Sequence, residues 1–122
     1  MATLLDRIGG DAAVTLAVDR FYDKILADAL LAPFFAHSNM EQQRKKQARF
    51  LSSVMGGTAV NVDGYMRNAH RRYVKDMGLT DRHFDAVAGH LQSTLNDLGV
   101  KPDVAGEVMA AAASLRESVL DR

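Results

Sequence analysis

Apolar residues recur at spacings of three and four along the whole chain, and the two prolines and the paired glycines fall between the periodic stretches. This pattern predicts an all-helical fold with no convincing strand. Thr3 is placed to cap a short first helix through Leu4, Leu5 and Ile8, which stops at Gly9-Gly10, and Asp11 to cap a longer one. Val14, Ala17, Val18, Phe21, Tyr22 and Ile25 form one stripe on that second helix. Pro33 breaks the chain, because proline lacks a donor and disfavours helix in the residue before it; Phe34 and Phe35 are left at a tight corner, anchored in the core. Ser38 followed by Glu41 reads as a capping box opening a third helix that runs to Gly56-Gly57. After a loop, Asp63 opens the helix bearing Met66, Ala69, His70, Tyr73 and Met77, with Gly78 beyond its end. Thr80 or Asp81 starts the next, which presents Phe84, Val87, Ala88, Leu91, Leu95 and Leu98 and ends at Gly99. Pro102 suits the first turn of a single last helix with Val104, Val108, Ala111, Ala112, Leu115 and Val119 on one side.

Composition narrows the function classes. A chain of 122 residues, 48% of them hydrophobic, is long enough to build one core, so residues 1–122 are expected to form a single domain. Fifteen acidic and fifteen basic side chains balance, which leaves no global attraction to nucleic acid or an anionic membrane. No apolar run reaches a membrane span, and the amino terminus lacks a secretory pattern, so a cytoplasmic location is expected. With no cysteine and four histidines, metal chemistry must rest on histidine and carboxylates.

Two polar features interrupt the apolar faces. His70 sits at the centre of its helix's apolar face, either as a core histidine satisfied by a backbone carbonyl or as a ligand; spacing alone does not separate the two. His83 and His90 flank or leave their own stripe and His37 is in a loop, so a multi-histidine metal site is not expected. On the third helix, Gln43 and Gln47 occupy the middle of a face made by Met40, Phe50, Leu51 and Val54, with Lys46 at its margin. An unpaired buried amide costs about 1–3 kcal/mol, so these glutamines either meet water at a helix end or have polar partners such as the Tyr22 hydroxyl or a ligand. Together with one buried histidine, they suit a flat apolar cofactor with one axial protein ligand and a polar guest opposite.

Gly9-Gly10, Phe21-Tyr22, Phe34-Phe35, Gln43-x-x-x-Gln47, Gly56-Gly57 and Met66-Arg67-Asn68-Ala69-His70 follow one another in an order and spacing that resembles the group I truncated haemoglobins over nearly the whole chain. The resemblance implies an all-α, truncated-globin fold, a two-over-two helical sandwich around non-covalently held haem b. It implies that His70 is the proximal iron ligand and that Tyr22, Gln43 and Gln47 bound the gas-binding pocket. Phe35, Phe50, Val54, Met66, Tyr73, Met77, Phe84, Val87 and Val119 would line the haem. Three positions depart from some relatives: Lys46 replaces a histidine able to take the sixth iron position, Glu117 a histidine that bonds covalently to haem, and Leu51 an aromatic tunnel gate. The Lys46 amine is left with two destinations, the iron once deprotonated, or solvent and a haem propionate.

The implied partners are dioxygen, nitric oxide or carbon monoxide, bound by a monomer. An enzymatic alternative, oxidation of nitric oxide to nitrate, requires a separate reductase, since no flavin or nicotinamide motif is present. A nucleic-acid module using Arg44, Lys45, Lys46, Arg49, Arg67, Arg71 and Arg72 is disfavoured, because these residues point in several directions without a recognition-helix signature.

Overall fold

The computed structural model describes residues 2–122, which form α-helices and one 3₁₀ turn, with no strand among the described residues. In chain order they are α1 (Leu4–Ile8), α2 (Gly10–Leu26), the 3₁₀ turn Ala32–Phe35, α3 (Met40–Met55), α4 (Val62–Met77), α5 (Asp81–Asp97), α6 (Pro102–Ala113) and α7 (Arg116–Val119). The order of the helices follows the apolar periodicity, but there are seven α-helices among the described residues where six were expected, and several boundaries differ for local reasons.

Thr3 caps α1 as expected: its hydroxyl accepts from the Asp6 N–H and the Asp6 carboxylate accepts from the Thr3 N–H, both at 3.1 Å. Gly9, at φ 118°, turns the chain directly into α2, so the helix starts at Gly10 and Asp11 lies inside its first turn instead of capping it. A side chain at Gly9 would be strained there, and its Cβ would stand 3.0 Å from that of Ala13. Asn39, not Ser38, caps α3, accepting from the Gln42 N–H at 3.1 Å. The start of α4 is set by Asn61 in the left-handed region, which leaves Asp63 in the first turn, where it accepts from the Ser118 hydroxyl at 2.7 Å. Thr80 caps α5 in a box closed by His83, whose Nδ1 accepts from the Thr80 N–H at 3.0 Å. The expected single last helix is two: the Ser114 hydroxyl donates to the Ala111 carbonyl at 2.6 Å, and α6 gives way to α7 there.

α2 packs on α3 and α5 packs on α6, and contact between α2 and α5 joins the two pairs, two over two. α1 closes one end against α2, α3 and α6. The α2 stripe supplies most of the core, with Val14, Val18, Phe21, Tyr22 and Ile25 buried beside Leu31; Leu95, Ala105 and Val108 form a second cluster between α5 and α6. Each valine, leucine, isoleucine or phenylalanine among them contributes about 1.5–3 kcal/mol when fully buried. His90 joins the layers from the side: its Nε2 lies 2.7 Å from an Asp28 oxygen, so it is a half-buried partner for the segment after α2 and not a solvated residue.

α7 is bound to α5 by charge. Arg116 reaches Asp81 at 3.0 Å and Asp85 at 2.6 Å, and Arg122 reaches Asp81 at 2.7 and 3.0 Å. Hydrogen bonds from Arg122 and then Arg116 hold the Asp81 carboxyl below its ordinary range. A depressed carboxylate adds stability above its unfolded value of about 3.9, and that contribution is lost as the pH falls through the folded value. Asp81→Asn is therefore expected to lower the urea midpoint at neutral pH, with the gap to the wild type closing below about pH 4. A gap that does not change with pH would contradict this.

Candidate cofactor site

His70 lies in the middle of α4, half-buried, with Nδ1 2.8 Å from the Met66 carbonyl oxygen one turn earlier. A carbonyl only accepts, so the proton must sit on Nδ1 and the lone pair on Nε2. Burial pushes the imidazole pKa below its ordinary value, against the opposing pull of the Met66 hydrogen bond, and this favours the neutral ring. A neutral imidazole with one nitrogen tied to the backbone and the other unprotonated is the form in which histidine binds a metal.

The second polar group is built from α2 and α3. Tyr22, 3% exposed, comes from the α2 stripe, and its oxygen accepts from the Gln43 amide at 3.1 Å. Because that oxygen accepts, the phenol proton remains free to donate to a third group. Burial raises the Tyr22 pKa above its usual value, while the Gln43 bond and Arg44 lower it, so at neutral pH the proton stays in place. Arg44 holds the arrangement from outside: it donates to the Asp19 carbonyl at 2.8 Å and to the Asp23 carboxylate at 3.0 Å, and its guanidinium stands 5.9 Å from the Tyr22 ring centre.

A run of aromatic rings connects the two groups. The His70 ring is 6.3 Å from that of Tyr73, which meets Phe34 edge-on at 5.9 Å. Next along the 3₁₀ turn, Phe35 meets Tyr22 edge-on at 5.6 Å. The Tyr73 phenol is close enough to oppose ionisation of Tyr22. At another point α3 and α4 touch through Phe50 and Tyr65, stacked 4.8 Å apart with 24° between their planes. Apart from these contacts α4 packs chiefly on α7, and neither α3 nor α4 buries any side chain fully.

The expected lining residues are therefore placed unequally. Phe35, Phe50, Val54, Met66, Tyr73, Phe84 and Val87 are half-buried, Val119 is buried in the core, and Met77 is exposed at the end of α4. Gln43 and Gln47 are half-buried, and Lys46 is exposed. His83 packs edge-on against Phe34 and His90 pairs with Asp28, so neither joins His70. Tyr65 was not singled out from the sequence, and Arg44 was weighed there only as one of a set of basic residues; the Asp19 and Asp23 spacing of four on α2, facing a cation-rich α3, hinted at its role as a clamp.

No group of three metal-binding side chains occurs among the described residues, so His70 cannot retain a bare ion with its neighbours. The residues fit a metal carried in a flat apolar ring: two half-covered amphipathic helices, one imidazole lone pair on α4, a hydroxyl on α2 and amides on α3.

Comparison with known proteins gives a consistent result. Residues 3–121 match the family model described as bacterial-like globin. Over 112 residues the chain is 46% identical to the group 1 truncated haemoglobin GlbN of Synechocystis sp., covering 92% of this chain and 90% of that one. It is 37% identical to a group 1 truncated haemoglobin of Tetrahymena thermophila, covering 98% and 96%. Among solved structures, the 2/2 haemoglobin of Synechococcus sp. in the cyanomet state with covalently attached haem superposes with a TM-score of 0.93 at 41% identity, covering 99% of this chain and all of that one.

Proposed function

The chain belongs to the bacterial-like globins as a group 1 truncated haemoglobin, and from that premise we propose that it holds haem b through His70 and retains dioxygen or another diatomic gas with Tyr22, Gln43 and Gln47. The observation that carries the proposal is the His70 imidazole, with Nδ1 bonded to the Met66 carbonyl and Nε2 left as the electron-pair donor. When bound, haem supplies an iron whose sixth position takes a diatomic gas. Half-buried Met66, Tyr73, Phe35 and Phe50 would hold the ring and exclude water from it, which would slow oxidation of the iron. Tyr22 keeps its proton and, with its oxygen already accepting from Gln43, directs that proton to a gas molecule that carries partial negative charge. Gln47, one turn along α3 from Gln43, offers a second amide.

Two departures from the relatives bear on the same site. At the position of Glu117, a carboxylate that accepts from Arg122 at 2.9 Å cannot act as the nitrogen nucleophile for a haem link, which supports non-covalent attachment. Lys46 is exposed one turn from Gln43 and has no ion pair among the described residues, so its stem is free to move. When haem is bound, that amine would reach either the iron, in competition with the gas, or solvent and a haem propionate, and the iron is the reading tested below.

Charge-assisted hydrogen bonds contribute about 1.5–3 kcal/mol, so removing the donors is expected to speed oxygen release by about tenfold to a hundredfold. Tyr22→Phe alone leaves the Gln43 amide free to substitute, and the double variant with Gln43→Leu is the sharper test by stopped-flow release. An unchanged rate in the double variant would contradict the retention role. For Lys46, the ferric protein at alkaline pH is expected to be low-spin and to become high-spin in Lys46→Ala; a wild type already high-spin there would rule the amine out.

A further inference from the structure

α4 carries the proposed iron ligand, yet it buries no side chain and finds its main neighbour in α7, a helix of four residues. α7 is itself fastened to α5, through Arg116 and Arg122 on Asp81 and Asp85 and through the Arg116 guanidinium 4.5 Å over the Phe84 ring. The position of α4 against the globin body is thus passed through α7. Across the α4–α7 contact, the Ser118 hydroxyl donates to Asp63 at 2.7 Å, and Arg67 donates to the Arg122 main-chain oxygen at 3.1 Å. Arg67 and Arg71 then close on the two oxygens of one carboxylate, Asp121, at 3.3 and 3.6 Å. Residues 67 and 71 are one turn apart on α4, and residue 70 lies between them, so the carboxylate grips the helix at the height of the imidazole.

The backbone of Asp121 supports a role beyond surface charge. Its φ of 56° lies in the left-handed region, which crowds a residue with a Cβ and which aspartate tolerates better than most. A strained conformation persists only where its surroundings hold it, and here two guanidinium groups and the hydrogen bond from the Asp121 N–H to the Ser118 carbonyl at 3.2 Å do so. Isolated exposed ion pairs contribute little. This one differs because its carboxylate is only 27% exposed, is shared by two cations, and joins a helix that has few other contacts.

We propose that Asp121 is a positioning residue: through Arg67 and Arg71 it fixes the height and rotation of α4 and so aims the Nε2 lone pair of His70 at the iron. The proposal rests on the assignment of His70 as iron ligand. Asp121 does not touch the iron or the gas. Its effect is to keep the imidazole from withdrawing, which governs haem retention and the strength of the iron–imidazole bond. Groups bonded directly to a metal ligand alter metal affinity by about 10–100-fold when removed, and Asp121, which stands one contact further out, is expected at the lower end of that range.

The test uses the haem-loaded protein. Asp121→Asn keeps the left-handed backbone and the side-chain shape and removes the charge; Arg71→Gln removes one cation from the other side. Haem transfer from the ferric protein to an excess of a haem-free acceptor globin gives the loss rate. Resonance Raman of the ferrous protein gives the iron–imidazole stretching band. Both variants are expected to lose haem about tenfold faster and to shift or broaden that band, and Asp121→Glu is expected to restore both partly. Glu117→Gln, which removes an Arg122 partner that does not reach α4, is expected to change neither. Variants that melt earlier while both haem loss and the band stay at wild-type values would overturn the proposal, as would variants with no change at all. A wild-type protein with no iron–imidazole band would instead overturn the assignment of His70 itself, and the positioning role with it.

Discussion

The hydrogen bond from His70 Nδ1–H to the Met66 carbonyl is the constraint on which the rest of the site depends. It uses the helix's own backbone to choose the tautomer, so the direction of the free lone pair is fixed by the position of α4 and not by a neighbouring side chain. Everything that places α4 therefore also places that lone pair. This explains why a helix with no fully buried residue is held by side-chain contacts at several points: Phe50 and Tyr65 to α3, Phe34 and Tyr73 to the corner, and the Asp63, Arg67 and Arg71 contacts to the carboxyl-terminal segment.

The opposite wall follows a different principle. Tyr22 belongs to the most buried stripe of the fold, so its hydroxyl is positioned by the core itself, while Gln43 is brought to it from α3 by the Arg44 clamp on Asp19 and Asp23. Burial keeps the phenol protonated, and the Gln43 bond uses the oxygen's acceptor capacity, so what remains is a donor. A rigid hydrogen-bond donor on one side and a braced imidazole lone pair on the other form an arrangement suited to holding a small polarised guest against an iron.

Much of this was legible in the sequence, because apolar spacing and glycine punctuation are local signals. The α2 stripe, the Thr3 and Thr80 caps and the ends at Gly56, Gly78 and Gly99 all follow from residues within a turn of each other. Boundaries set by side-chain competition were not: Asn39 takes the cap in place of Ser38, the Asp63 carboxylate is drawn away by Ser118, and Ser114 interrupts an apolar pattern that continues across the break. His70 stood out at the centre of an apolar face, and the order of the family's motifs gave it a role that spacing could not. The roles of Arg44, Tyr65 and Asp121 stayed hidden because their partners lie on other helices, at separations no local periodicity encodes.

The central claim is that the His70 imidazole is the bond between this chain and the iron. Its most direct test is haem titration of His70→Gly with and without free imidazole, followed by the absorption spectrum of the ferrous form under carbon monoxide. The account predicts weak haem uptake by the variant and an abnormal spectrum, with imidazole restoring both towards the wild type. Wild-type uptake and a wild-type spectrum in the variant without imidazole would contradict it.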